Sequence, residues 1–234
     1  MKTARRLVCL AALAALSGSA LAAGPDITST FNGIIPQVPI TWSVVGVPVP
    51  HTIPTFGVNE GAAGGFSWTK TGGTYTGVSG NYTAFCLELT QTIQEPNSYT
   101  YKAVPLADAP GANGPFTNPL GATGASQVSE LWGNWYSTLD FNDATQMAAF
   151  QIAIWEIVYD SNLILNGAGD SLQIGVAPAV AVLAQTYLDA VDGSGPFAAL
   201  DALTNPDVQD QVVPTPGAFA LLGIGGLFAA RRRR

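Results

Sequence analysis

The sequence predicts an α+β protein, an antiparallel β-barrel or sandwich followed by a helical subdomain. Three observations carry this reading. From Ile27 to Val104 the chain consists of short alternating segments separated by turn residues. Residues 105–124 then change to a mixture of Pro, Gly, Ala and Asn. Beyond them, apolar residues recur at helical spacing. Strands first and helices afterwards is the pattern of segregated α+β layers, not of alternating βαβ units.

The elements follow in order. Ile40-Thr41-Trp42-Ser43-Val44, Gly65-Phe66-Ser67-Trp68-Thr69 and Thr74-Tyr75-Thr76 alternate with the period of a half-buried strand. Gly72-Gly73 and Ser79-Gly80-Asn81 are turns between strands. The run from Pro48 to Pro54 has too many prolines for a central strand and belongs at an edge or in a loop. Thr83 to Thr90 and Tyr99 to Val104 read as strands on either side of Glu95-Pro96-Asn97, and residues 105–124 as a long surface loop. Helices are expected at about Ser126 to Ser137, Asp143 to Asp160 and Ala177 to Val191, with Asp143 as the N-cap of the second. Gly193 to Gln211, with Pro196, Pro206 and several aspartates, reads as a weakly ordered tether. This divides the chain into one folded domain over 23–195 and a linker over 196–212.

Both ends carry addresses. Lys2, Arg5 and Arg6, the apolar run Leu7 to Leu16 and the Ala20-Leu21-Ala22 site make residues 1–22 a secretory signal peptide. Cys9 leaves with it, and the chain is expected to be exported. Residues 213–234 join Val213-Pro214-Thr215-Pro216, an apolar run from Gly217 to Ala230, and Arg231, Arg232, Arg233 and Arg234. This order resembles the PEP-CTERM sorting tail of bacterial proteins handled by exosortase, with Thr215 where that family usually has Glu. The apolar run is shorter than the ~20 residues of a stable span. The resemblance therefore implies transient membrane contact through the tail, with the arginines held at the cytoplasmic face. It also implies an exosortase-type processing enzyme as a partner, and a final location in the bacterial cell envelope or outside the cell. Between the two ends only Lys70 and Lys102 are basic, whereas every acidic residue lies between Asp26 and Asp210. So acidic a region argues against nucleic acid as a partner.

Cys86 is the sole cysteine outside the signal peptide, so it closes no intrachain disulfide. It is inert, intermolecular, or used in other chemistry. Alternation places Phe85, Leu87 and Leu89 on one face, filling the barrel core, and Ala84, Cys86 and Glu88 on the other. On the second expected helix Gln151 points from the middle of an apolar face formed by Met147, Ile154, Val158 and Trp155, while Glu156 and Asp160 fall on the opposite, wet side. An unsatisfied buried carboxamide costs about 1–3 kcal/mol. Gln151 is therefore either hydrogen-bonded as a structural residue or relieved of its amide nitrogen by condensation with a cysteine. For Cys86 alone, a buried inert thiol is the bland alternative.

Phe85-Cys86-Leu87-Glu88 and Phe150-Gln151-Ile152-Ala153-Ile154-Trp155 resemble, in motif and in order, the cysteine and glutamine segments of bacterial thioester domains. The resemblance implies an internal Cys86–Gln151 thioester that an amine on a partner, such as a protein lysine, opens to leave an amide bond. Such a protein is a covalent surface or matrix adhesin that acts once and is not an enzyme. Glu88 is then a candidate for proton transfer, and Phe85, Phe150 and Trp155 for the lining that excludes water. The alternative is a non-covalent matrix or carbohydrate-binding module of the same shape with a free Cys86. A cysteine hydrolase built on Cys86 and His51 ranks below both, since His51 lies in the proline-rich run. With a single histidine and scattered acidic residues, no metal is expected, and no phosphate loop or dinucleotide fingerprint calls for a cofactor.

Overall fold

The computed structural model of the chain describes residues 24–44, 59–110, 119–160 and 162–216. The signal peptide, the run from Pro48 to Pro54 with His51, and the apolar tail with Arg231–Arg234 lie outside the described residues.

Two long strands, β1 (Asp26–Val44) and β2 (Asn59–Gly73), pair antiparallel along most of their length. β2 continues into β3 (Asn81–Cys86), while β1 is flanked on its other side by β4 (Asn97–Pro105). After β4 the chain leaves the sheet to form α1 (Gly121–Trp135) and α2 (Ala144–Tyr159), the short strand β5 (Leu172–Gly175) and α3 (Pro178–Asp189). It then returns as β6 (Leu200–Thr204), which pairs with β4, and β7 (Gln211–Pro214), which joins β6 to β3. The ring β1-β2-β3-β7-β6-β4 closes on β1, giving a six-stranded antiparallel barrel with three helices in the later part of the chain. Closure matters because an open sheet of this length would present unpaired N–H and C=O groups at both edges. β5 pairs with the far end of β1, over Thr41–Val44, outside the ring.

The fold class is the expected α+β, but the order of its parts differs. Residues 196–212, read as a linker, hold β6 and the start of β7, and Pro214 of the expected sorting motif ends β7. The helices are thus an insertion between barrel strands. The short, Asp- and Pro-containing strands hide this, because their few residues give no visible alternation. Two smaller corrections concern strand ends. Thr74-Tyr75-Thr76 is a turn whose tyrosine points inward, its hydroxyl donating to the Pro214 carbonyl at 2.7 Å. The strand expected over Thr83–Thr90 stops at Cys86. The loop expected over 105–124 ends early, since α1 begins at Gly121.

α2 positions everything that follows. Asp143 caps it as expected, accepting from the Thr145 and Gln146 N–H groups at 2.8 and 3.2 Å. From Met147 to Tyr159 every residue is buried, because α2 packs on β1, β2 and β3 on one side and on α1 and α3 on the other. A helix enclosed in this way needs no polar face. Close approach to the barrel is allowed by Gly65 of β2, where a Cβ would come within 2.4 Å of the Met147 methyl. Enclosure also overturns the wet side expected for this helix. Glu156 is fully buried, and only Asp160, at its C-terminal end, is partly exposed. Among the described residues no helix is long and apolar enough to cross a membrane.

Candidate functional site

Cys86 is the last residue of β3, and Gln151 lies midway along α2, which packs against that strand. Both are fully buried. The Gln151 carboxamide lies against the main chain of Cys86 in a reciprocal clamp. Its Oε1 accepts from the Cys86 N–H at 2.8 Å and its Nε2 donates to the Cys86 carbonyl at 2.8 Å. Two residues 65 apart in sequence are thereby joined through both polar atoms of one side chain. The sequence identified this pair, and the structure brings it together. The desolvation cost anticipated for Gln151 is offset by these two bonds, so the carboxamide is fully satisfied.

The sulfur sits in the tight turn that follows β3. The Cys86 thiol donates to the Glu88 carbonyl at 2.7 Å, and the Glu88 N–H donates back to the sulfur at 3.3 Å. Burial, and next the nearby Glu88 carboxylate, push the thiol well above its usual range, so the neutral S–H is the resting form. The Trp155 indole opposes this shift. Its Nε1–H is buried with no full hydrogen-bond partner and lies near enough to the sulfur to favour a thiolate.

Glu88 was expected on the strand face of Cys86. It lies instead in the turn, and its carboxylate meets a residue that the sequence reading placed in the tether. Asp210 packs beside it, with the Asp210 N–H donating to Glu88 Oε1 at 3.2 Å. The same segment is knitted to the turn by Leu87 N–H to the Asp210 carbonyl at 2.9 Å and Gln209 Nε2 to the Glu88 carbonyl at 3.1 Å. Burial raises both carboxyl groups, and the Asp210 charge raises Glu88 further. Two buried like charges this close cannot both ionise cheaply, so the pair holds a proton to higher pH than a lone carboxylate. The signal that could have found Asp210 was the apolar Val212-Val213 two residues beyond it, out of place in a solvated tether.

The aromatic residues divide. Phe85 faces the helices, not the barrel interior. Its ring contacts Phe150 at 4.8 Å and Trp132 at 5.7 Å, and Trp132 in turn stacks on Tyr136 at 4.2 Å. That reverses the face expected from alternation: it is Phe85 that meets α1 and α2, while the helix reaches Cys86 through its main chain. Trp155 alone of the three expected aromatics lines a surface cleft of about 370 Å³, together with Trp42, Glu60, Leu89, Gln91 and Gln209. Leu89 and Gln209 also flank the Cys86–Glu88 turn, whereas Cys86 and Gln151 themselves do not line the cleft.

Acidic residues that look scattered in the sequence also converge elsewhere. Glu156, Asp160 and Asp170 each place a carboxylate oxygen within 4.8 Å of the others at the end of α2. Among the described residues they form a group whose carboxylates lie close enough to share an ion, a convergence their scatter in the sequence conceals. Of the sorting-motif residues, Pro216 lies in a turn just past β7 and the four arginines lie outside the described residues. No family model, curated protein or solved structure matches this chain.

Proposed function

We propose that the protein is an exported bacterial surface or matrix adhesin that stores an internal thioester between Cys86 and Gln151 and spends it on a partner amine. The observation that carries the reading is the clamp of the Gln151 carboxamide on the Cys86 peptide groups, 2.8 Å at each end and sealed from water. It holds the glutamine and cysteine as an intramolecular pair, for which effective concentrations of ~10⁵ M and above are attainable.

The chemistry balances without a co-reactant. The Cys86 sulfur bonds to the Gln151 side-chain carbon, the carbon–nitrogen bond breaks, and the thiol proton leaves on nitrogen as part of ammonia. Charge gathers on Gln151 Oε1 in the tetrahedral stage, and the Cys86 N–H already donates to that atom. The Glu88–Asp210 pair, whose charge the thiol feels, serves as proton carrier, taking the proton from a thiol that burial keeps neutral and passing it to the leaving nitrogen. Once acylated, the sulfur no longer donates to the Glu88 carbonyl, which keeps its bond from Gln209. In the second step a partner lysine amine bonds to the same carbon, and the Cys86 sulfur leaves as the thiol, taking up the proton the amine gives up. The C-terminal tail is read as a PEP-CTERM-type sorting signal on its sequence alone.

A second reading has its own observation. The two hydrogen bonds that position Gln151 also satisfy it completely, as a structural glutamine tying α2 to β3 would require. On that reading the protein is a non-covalent matrix or carbohydrate-binding module with a free thiol. Intact-mass measurement of the exported protein separates the two. The thioester form is lighter than its sequence by one ammonia, with the loss mapping to Cys86 and Gln151 and absent from Cys86→Ala and Gln151→Ala. Full mass, with a thiol titrating in denaturant, overturns the thioester.

A further inference from the structure

We propose that Glu156, Asp160 and Asp170 form a calcium site that fastens the C-terminal end of α2 to the turn leading into β5. This inference stands apart from the thioester, since it uses none of the atoms of Cys86 or Gln151.

Glu156 is the anomaly. Three glutamates of the described residues are buried: Glu88, Glu130 and Glu156. Glu88 accepts from the Asp210 N–H, and Glu130 accepts from the Gly193 and Gly195 N–H groups at 2.7–3.1 Å. Neither oxygen of Glu156 has any hydrogen-bond partner, although the residue is completely enclosed. One oxygen of Asp170, Oδ2, is equally bare. A buried carboxylate left in this state costs several kcal/mol unless something compensates it.

The surroundings make the deficit worse. Glu156 occupies the last turn of α2 and Asp160 is its C-cap, where the helix dipole already places negative partial charge, and no basic residue lies in that turn. Asp160 and Asp170 are the charges that Glu156 feels, and no lysine contributes. Lys70, one of the two lysines of the barrel, donates to the Tyr75 and Val78 carbonyls instead. Burial first, then Asp160 and Asp170, raise Glu156 to about 8. A proton would neutralise only Glu156, leaving two carboxylates facing each other with a bare oxygen on Asp170.

A cation answers each of these points, and the dimensions suit it. Oxygens that ligate calcium at about 2.4 Å lie at most about 4.8 Å apart across the ion. The three carboxylates offer oxygens all within 4.8 Å of one another. The set is entirely oxygen, with no imidazole or thiolate, which selects a hard ion over zinc or copper. Its members are also already aimed. Asp160 Oδ1 and Oδ2 accept from the Ser171 and Leu172 N–H groups at 2.7 and 2.9 Å, and the Asn162 amide donates to Asp170 Oδ1. Those bonds leave Asp170 Oδ2 and both oxygens of Glu156 free to ligate.

Calorimetric titration of the metal-free exported protein with calcium chloride, paired with thermal melts, tests the assignment. One calcium per chain is expected to bind, and millimolar calcium to raise the melting temperature by several degrees over EDTA, with magnesium at the same concentration doing much less. Glu156→Gln and Asp170→Asn are expected to lose both effects, whereas Cys86→Ala, which removes the thioester, keeps them. No heat of binding and identical melts in calcium and EDTA for the wild-type protein would overturn the site, whatever the variants do. Equal stabilisation by magnesium would overturn the assignment to calcium.

Discussion

The proposed thioester predicts that methylamine, by opening it, will lower the melting temperature of the protein by ~8–16 °C while leaving its fold intact. The proposed bond between Cys86 and Gln151 would close a loop spanning the 65 residues that separate the hydrogen-bonded pair in sequence. On the chain-entropy account of crosslinks, a loop of that size restricts the unfolded chain by about 4 kcal/mol. In a domain of this size each kcal/mol moves the midpoint by about 2–4 °C, which gives the range above. The folded state changes little, because the Gln151 carbonyl and the Cys86 N–H that meet at 2.8 Å are both still present in the methylamide. Differential scanning calorimetry before and after treatment reads the shift, with thiol titration to count the cysteine released. Cys86→Ala is the control: it should melt with the opened form and ignore methylamine. Full incorporation at Gln151 with an unchanged midpoint would refute the loop argument. No incorporation, with one thiol reactive in denaturant, would refute the thioester itself.

Three further outcomes follow from the same geometry. In the Cys86→Ala background, where no thioester forms, Gln151→Leu should cost about 2–6 kcal/mol in urea unfolding, since it strands the N–H and C=O of residue 86 in a dry interior. A cost below 1 kcal/mol would show the clamp to be dispensable. A chain ending at Gly195 should fail to fold, while one ending at Pro216 should give cooperative melting, because β6 and β7 close the barrel between β4 and β3. In EDTA the wild-type protein should lose stability, relative to Glu156→Gln, as pH rises from about 4.5 to about 8. The folded state holds the Glu156 proton up to about 8 and the unfolded chain releases it near 4.5, so the stabilisation is complete below that window and gone above it. A difference between the two proteins that stays flat across the window would contradict the burial of an uncompensated carboxylate.

What could be read in advance, and what could not, has a physical pattern. Strands β1, β2 and β4 and all three helices were visible because each carries enough residues for its periodicity to repeat. β6 and β7 have five and four residues and neither alternates cleanly, β7 being buried throughout, in a stretch punctuated by Pro206 and Asp207. The Cys86–Gln151 pair was legible because a cysteine without a disulfide partner and a glutamine on an apolar helix are each chemically conspicuous. Asp210 was not, since its role comes from where barrel closure puts it. Glu156 was misplaced for a related reason. A helical wheel assumes that one face sees water, and α2 is enclosed by the barrel on one side and by α1 and α3 on the other. Alternation failed at Phe85 similarly, because both faces of a strand end enclosed by helices are buried and only the packing decides which side is which.

The late return of the chain to the barrel also bears on when the site can react. Cys86 lies on β3, Gln151 on an inserted helix, and Asp210 beside the strand that completes the ring. β3 has β2 on one side and only β7 on the other, and β7 carries the Cys86 partner Gln211. Until β7 is in place, the turn after Cys86 lacks its bonds to Asp210 and Gln209, so neither the sulfur nor the Glu88 carboxylate is held. The high effective concentration that the proposed reaction needs can arise only in the closed barrel. A folding intermediate with an open barrel would carry a cysteine and a glutamine that merely coexist. On the proposed reading, the thioester can form only in the finished fold, where Cys86 and Gln151 are both fully buried.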